Sequence, residues 1–299
     1  MTSQSRIKES TSDRVFLGFI YFVLSIVLVV VAYPLLNVVS SSISASSAVT
    51  AGRVSIFPVE PTFIAYSTIF ESSKLLMGYL NSIIYTVGGV IVQVTLTVLI
   101  AYPLARKQLY GRGIITALLV FTMFFSGGLI PTYLVVKSLG ILDTRWALII
   151  PGAMAVFQVI IARTFFQTTI PDELYDAAEL DGCSEFGIFR RMILPLSKPI
   201  VAVLVLIYAV NNWNAYFEAM IYLNSERLFP LQIILRNILI LNTQPGKILS
   251  DPERMIAMQE MATLLKYALI VVASLPVLIF YPFIQKYFVK GMMIGSLKG

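Results

Sequence analysis

The chain of 299 residues contains no histidine and a single cysteine, Cys183, and each scarcity excludes chemistry. An intrachain disulfide needs two thiols, so none forms, and a Cys/His metal site has no ligand set. Charge is scarce as well. Asp, Glu, Lys and Arg make up 13% of the residues against 58% hydrophobic, the balance of a polytopic membrane protein and not of a soluble domain. No Gly-rich phosphate loop of the Walker type occurs, so the chain is not expected to hydrolyse ATP itself, and no nucleophile–base pair marks an enzyme. The net charge of +6 would favour nucleic acid in a soluble protein. Here the positive residues flank apolar stretches, where they set orientation, and no nucleic-acid partner is expected.

What the chain does have is long apolar runs. A polar tail, residues 1–14, precedes a first span at 15–39. A cleavable signal peptide ending near Ala45 or Ala48 would have an apolar core of only about 7–15 residues, so a retained span is the better reading. Residues 40–80 form a mixed segment, serine-rich at first, expected outside the cytoplasm. Five further spans are expected at about Ser82–Ala105, Ile114–Val136, Trp146–Phe166, Ile200–Leu223 and Thr263–Phe288, together a core over 81–289. Each approaches or exceeds the roughly 20 residues a helix needs to cross the hydrocarbon. The chain is thus read as all-α with six transmembrane helices. Lys and Arg are more frequent in the tail, in the loop with Arg106, Lys107 and Arg112, in the segment 167–199 and in the tail 290–299 than in the opposite loops. Both termini are therefore expected on the cytoplasmic face of the cell membrane. The loop 224–262, broken by Pro230, Pro245, Gly246 and Pro252, falls on the outer side, either as an inert connector or as a surface for a partner.

The most charged stretch runs from Pro171 to Pro195. Pro171 suits a first helical turn, and Asp172 and Glu173 complement the positive end of the dipole. Leu174, Ala177, Ala178 and Asp181 recur at three- and four-residue spacing. Gly182 can take the positive φ that ends a helix. Ser184 is a good N-cap for a second short helix to about Leu194, which Pro195 discourages from continuing. The expectation is a helix–turn–helix hairpin on a cytoplasmic loop.

A second polar concentration lies inside the fifth span: Asn211-Asn212-Trp213-Asn214-Ala215-Tyr216-Phe217-Glu218. Amides and a carboxylate are costly in lipid and should face a bundle interior or a wet cavity. At helical spacing, positions 211, 214 and 218 share a face, with Trp213 and Tyr216 beside it. Such groups hydrogen-bond hydroxyls and stack on sugar rings, so a transport path for a polyhydroxylated solute is one reading. Bonding between helices, with Trp213 as an interfacial anchor, is the other. Gln93 and Gln158 are weaker members of the same set. Ser126-Gly127-Gly128 before Pro131 marks either a break in the third span or a close-packing site.

The hairpin pattern Asp176-Ala177-Ala178-x-x-x-Gly182, nine residues, then Met192-x-Leu194-Pro195 resembles the EAA loop of ABC importer permeases, E-A-A-x-x-x-G-x9-I-x-L-P, with Asp176 for Glu and Met192 for Ile. Trp213-Asn214 with Tyr216, Phe125-Ser-Gly-Gly-Leu-Ile-Pro-Thr-Tyr133 and the end from Gln285 to Gly299 are similar to the MalG-type carbohydrate permeases, in an LplC-like branch associated with oligosaccharides. The resemblance implies a type I importer permease (MetI-like) fold. It implies that Asp176, Ala177, Ala178, Gly182, Leu194 and Pro195 belong to a coupling helix docked on a cytoplasmic ATPase. It further implies a second homologous permease, two ATPase subunits holding ATP and Mg, and an extracytoplasmic solute-binding protein, with no cofactor on this chain. A permease for amino acids or peptides, an ion-driven carrier or channel, and a membrane enzyme are the alternatives the residues leave open.

Overall fold

The computed structural model describes residues 10–241 and 252–296, with side chains over 10–238 and 260–282. Among the described residues the structure is helical, with no strand beyond an isolated bridge between Ser44 and Pro61. The helices in chain order are α1 (Thr11–Ser42), α2 (Ser46–Thr50), α3 (Ile64–Glu71), α4 (Ser73–Ala105), α5 (Arg112–Phe124), α6 (Leu129–Ser138), α7 (Trp146–Ile149) and α8 (Val156–Thr169). They continue with α9 (Asp172–Leu180), α10 (Glu185–Ile188), α11 (Leu194–Leu196), α12 (Lys198–Asn214), α13 (Phe217–Tyr222), α14 (Leu231–Leu241) and α15 (Pro252–Ser296). Two compact units result: residues 1–71 with 238–272, and residues 72–237 with 273–299.

In the first unit α1 is apolar on all sides, and none of its most apolar 18-residue window is buried within the chain. A helix of that composition requires cover from lipid or from another protein. The serine run that follows supplies hydroxyls to the turns beyond it. Ser44 Oγ donates to Ser40 O (2.6 Å) and accepts from Val59 N (3.0 Å), while Asn37 Nδ2 reaches Val54 O and Ser55 O (3.1 Å each). Each bond satisfies a carbonyl or amide that a non-helical connection leaves open.

In the second unit α4 packs against both α8 and α12. Its buried face is the row Asn81, Ser82, Tyr85, Gly89, Gln93, Thr97, Ala101, Tyr102, at three- and four-residue spacing. Gly89 permits a close approach to α12. A Cβ there would lie 2.6 Å from Asn212 Nδ2, so only glycine leaves room for that amide. Asn212 Nδ2 then donates to Gln93 Oε1 (2.8 Å), and Gln93 Nε2 donates to Gly152 O (2.8 Å). Gln93 and Asn212 therefore join helices, and Thr97 and Tyr208 do the same through hydroxyls 2.7 Å apart.

Several expected elements need correction. The second helix begins at Ser73, inside the segment 40–80. The third span breaks at 125–128, where α5 and α6 meet at 113°, the first of the two readings that Ser126-Gly127-Gly128 left open. The fourth, Trp146–Phe166, is divided by Pro151 and its neighbours into α7 and α8, since proline removes a helix donor. The fifth ends at Asn214 and resumes as α13 after Ala215–Tyr216, so 211, 214 and 218 do not share one continuous helical face. The last helix starts at Pro252, within the expected loop 224–262, and runs to Ser296 through most of the expected tail 290–299. Three helices among the described residues are long and apolar enough to cross a membrane, five if each bent pair counts as one span.

Candidate functional site, a clamped hairpin and an amide-rich helix end

The hairpin forms from the sequence much as its local signals dictate. Pro171 stands at the N-cap of α9, one position before the helical turn, and Asp172 and Glu173 occupy that turn. Tyr175 and Ala178 turn inward, exposed by 4% and 3%, and join a core with Val98, Ala101, Tyr102, Phe166, Ile188 and Ile193. The remaining face presents Asp176, Ala177 and Leu180 to solvent, Leu180 being 89% exposed. The helix ends in a paired cap. Gly182 N donates to Glu179 O and Cys183 N to Ala178 O, both 3.0 Å, with Gly182 at φ +74°. A Cβ at Gly182 would meet nothing within 4 Å, so the need for glycine is conformational.

Ser184 caps the second arm, its Oγ accepting from Gly187 N at 3.2 Å. The arm extends past Leu194. After α10 it passes through a π-helical turn, Phe189–Ile193, into α11, and bends by 75° into α12. Pro195 has no N–H to complete a regular turn, and the widened turn lies just before it. Leu194 and Pro195 are exposed, whereas Ile193 is fully buried.

Sequence reasoning missed what holds this hairpin in place. Arg106, the C-cap of α4, is 8% exposed and pairs with Glu179 Oε1 (2.8 Å) and Glu185 Oε1 (3.2 Å). Its guanidinium carbon lies 3.9 Å above the centre of the Tyr175 ring. Burial alone would lower the Arg106 pKa, but Glu185, the bond to Glu179 and the Tyr102 oxygen outweigh it, and the net direction is up. Tyr175 is also shifted up, chiefly by burial. Lys107 pairs with Asp172. The legible signal was a cationic loop facing an acidic hairpin; its geometry was not legible.

At the far end of α12, Asn211, Asn214, Tyr216 and Glu218 are all exposed within the chain, and Asn214 Nδ2 donates back to Val210 O (2.8 Å). Trp213 points the other way. It is 5% exposed, donates Nε1–H to Ala273 O (2.9 Å), and meets Tyr79 edge-on at 5.5 Å. It borders an apolar cavity of about 450 Å³ shared with Thr86 and Pro276, which offers a polyhydroxylated solute almost no hydrogen-bonding surface. Gln158 on α8 has a buried Oε1 without a hydrogen-bond partner. Among the described residues no cluster of three or more Cys, Asp or Glu could hold a metal.

Residues 3–294 match the family described as binding-protein-dependent transport system inner membrane component. Protein LplC of Bacillus subtilis (strain 168) is 44% identical over 266 residues, 89% of each chain. The polygalacturonan/rhamnogalacturonan transport system permease protein YtcP of the same organism is 42% identical, covering 96% of this chain and 99% of that one. A subunit of a bacterial ABC transporter involved in the import of the acidic polysaccharide alginate, solved by crystallography, superposes with a TM-score of 0.84 at 34% identity, covering 95% of this chain and 100% of that one. The chain is a multi-pass, all-α membrane protein, and it belongs to the family of binding-protein-dependent transport system inner membrane components.

Proposed function

We propose that this chain is one of two permease subunits of an ATP-driven importer for oligosaccharides derived from complex polysaccharides. The observation that carries the reading is the hairpin. A short helix is held against the core by Tyr175 and Ala178 and leaves Asp176, Ala177 and an almost fully exposed Leu180 as a docking face. An exposed apolar side chain beside a rigid backbone is what a helix-in-groove contact requires. Ala178 serves that face from beneath, since its methyl group lies in this chain's own core. A cytoplasmic ATPase subunit is the occupant, and the ATP and Mg it holds drive the cycle from outside this chain. Both termini then lie in the cytoplasm and a solute-binding protein delivers from the opposite side. The names of YtcP and of the alginate transporter support a polysaccharide-derived solute. On this reading Asn211, Asn214, Tyr216, Glu218 and Gln158 border the solute route, while Trp213 supports that helix end from behind.

The test is transport. The chain, its partner permease, the ATPase and the binding protein are reconstituted into vesicles and offered labelled oligogalacturonides, maltodextrins and amino acids. ATP-dependent accumulation of an oligosaccharide alone is expected. Accumulation of amino acids, or uptake driven by an ion gradient without ATP, would overturn the assignment.

A further inference from the structure

Arg106 ends a helix, a task many exposed residues perform, yet its side chain is only 9% exposed and reaches into the hairpin. One nitrogen, Nη2, contacts a carboxylate on each arm: Glu179 on α9 and Glu185 just past the turn. Tyr102, one turn earlier on α4, donates its hydroxyl to the other oxygen of Glu185 at 3.1 Å. The backbone of this end is itself held, because Arg163 Nε on α8 donates to Leu104 O at 3.0 Å and Arg112 Nη1 to Arg106 O at 3.4 Å. Both arms are thus fastened to one end of one long helix.

Stability alone is a poor account of this arrangement. The Glu179 and Glu185 side chains are 48% and 65% exposed, so solvent screens both pairs. What the planar guanidinium fixes is direction: its face lies over the Tyr175 ring while Nη2 bridges two carboxylates, and a lysine ammonium, which can bridge carboxylates, has no planar face to set against the ring. Along α4 the same helix meets Asn212 through Gly89 and Gln93, and α12 ends in the exposed amides.

We propose that Arg106 is a positioning residue for coupling, tying both arms of the hairpin to α4 so that displacement of the docking face moves α4 instead of being absorbed in the loop. This rests on the importer reading.

The experiment reads labelled oligosaccharide imported per ATP hydrolysed by the reconstituted complex, with copurification of the ATPase scored alongside. Arg106→Gln is expected to keep the ATPase bound and hydrolysing while import per ATP falls at least ten-fold. Arg106→Lys is expected to fall between that variant and wild type. The pair Glu179→Gln with Glu185→Gln, which leaves the cation on Tyr175, is expected to match Arg106→Gln. With Cys183→Ser, Lys107→Cys and Asp172→Cys added to Arg106→Gln, a short bifunctional thiol reagent is expected to restore most of the lost coupling. Unchanged import per ATP in Arg106→Gln, loss of ATPase binding, or failure of the cross-link to restore coupling would each overturn the proposal. A wild-type complex that neither binds an ATPase nor imports would instead overturn the importer reading, and this inference with it.

Discussion

The two ends of α4 are held by different chemistry. At one end Arg106 and Tyr102 grip carboxylates of the hairpin. At the other, beside the exposed pair Lys74–Glu226 (2.7 Å), neutral side chains grip backbone. Asn81 Nδ2 donates to Arg227 O (2.8 Å) and Phe229 O (3.2 Å), Tyr85 OH to Leu228 O (2.8 Å), and Leu231 N donates to Ser82 Oγ (2.9 Å). Asn81 and Ser82 are essentially inaccessible, whereas the carboxylates around Arg106 are half exposed. Neutral bonds inside the bundle are insensitive to salt and tie the segment 226–231 to the helix. The charged end is directional and screened. On the proposed reading the neutral end anchors and the charged end transmits.

Substitutions at the two ends separate these roles. The largest effect on transport is expected at the hairpin. Gly182→Val puts a β-branched residue at φ +74°, a backbone strain of about 1–3 kcal/mol, and should cut uptake at least ten-fold without lowering the melting temperature of the membrane core. Gly182→Asn, which tolerates that conformation, should stay within about two-fold of wild type. Between the two ends, Asn214→Leu and Glu218→Leu should reduce uptake several-fold while the complex still assembles, since a polar contact between helices contributes only about 1 kcal/mol. Normal uptake in both would remove this helix end from the solute route.

How far the sequence foretold this arrangement differs between the same two ends. The hairpin was legible because its signals are local: an acidic first turn, a glycine at the C′ position and a serine N-cap each act within a few residues. The clamp was not, because Arg106 is separated from Glu179 and Glu185 by more than seventy residues, and only the fold brings them together. The apolar runs marked helices, but hydropathy does not register a break. Hence α7 and α8 read as one span, and the end of α12 at Asn214 was invisible. Trp213 shows the same limit. It sits among amides in sequence, Asn212 half-buried and Asn211 and Asn214 exposed, and only the packing against Tyr79 and Ala273 shows that it faces inward.

At the opposite end the expected loss is of stability and not of coupling. Asn81→Leu leaves the carbonyls of Arg227 and Phe229 without that donor, a cost of roughly 1–3 kcal/mol, and should lower the melting temperature while import per ATP is unchanged. A fall in import per ATP equal to that of Arg106→Gln would erase the distinction between the ends.

The smallest effect is expected at Asp143. Its carboxylate accepts from Asn224 N, Ser225 N and Ser225 Oγ, and these bonds, the Ser225 hydroxyl first, hold its pKa below the usual carboxylate range. A depressed folded-state pKa means that the tie is fully present above the unfolded value of about 3.9 and is lost as pH falls through the lower folded value. Protection of the Ser225 amide from hydrogen exchange, corrected for intrinsic rate, should therefore be the same at pH 7 and pH 5 and should decline only below about pH 4. Asp143→Asn should lower it at both. A decline between pH 7 and pH 5 in the wild type would show that another group titrates there.

The central claim is that the exposed face of α9 meets an ATPase. A photoreactive residue replacing Leu180 tests it directly, with Lys74 at the other end of α4 as the control. Irradiation of the assembled complex is predicted to link the chain to the ATPase subunit from position 180 and not from position 74. Equal adducts from both positions, or none from 180 in a complex that hydrolyses ATP and transports, would contradict it.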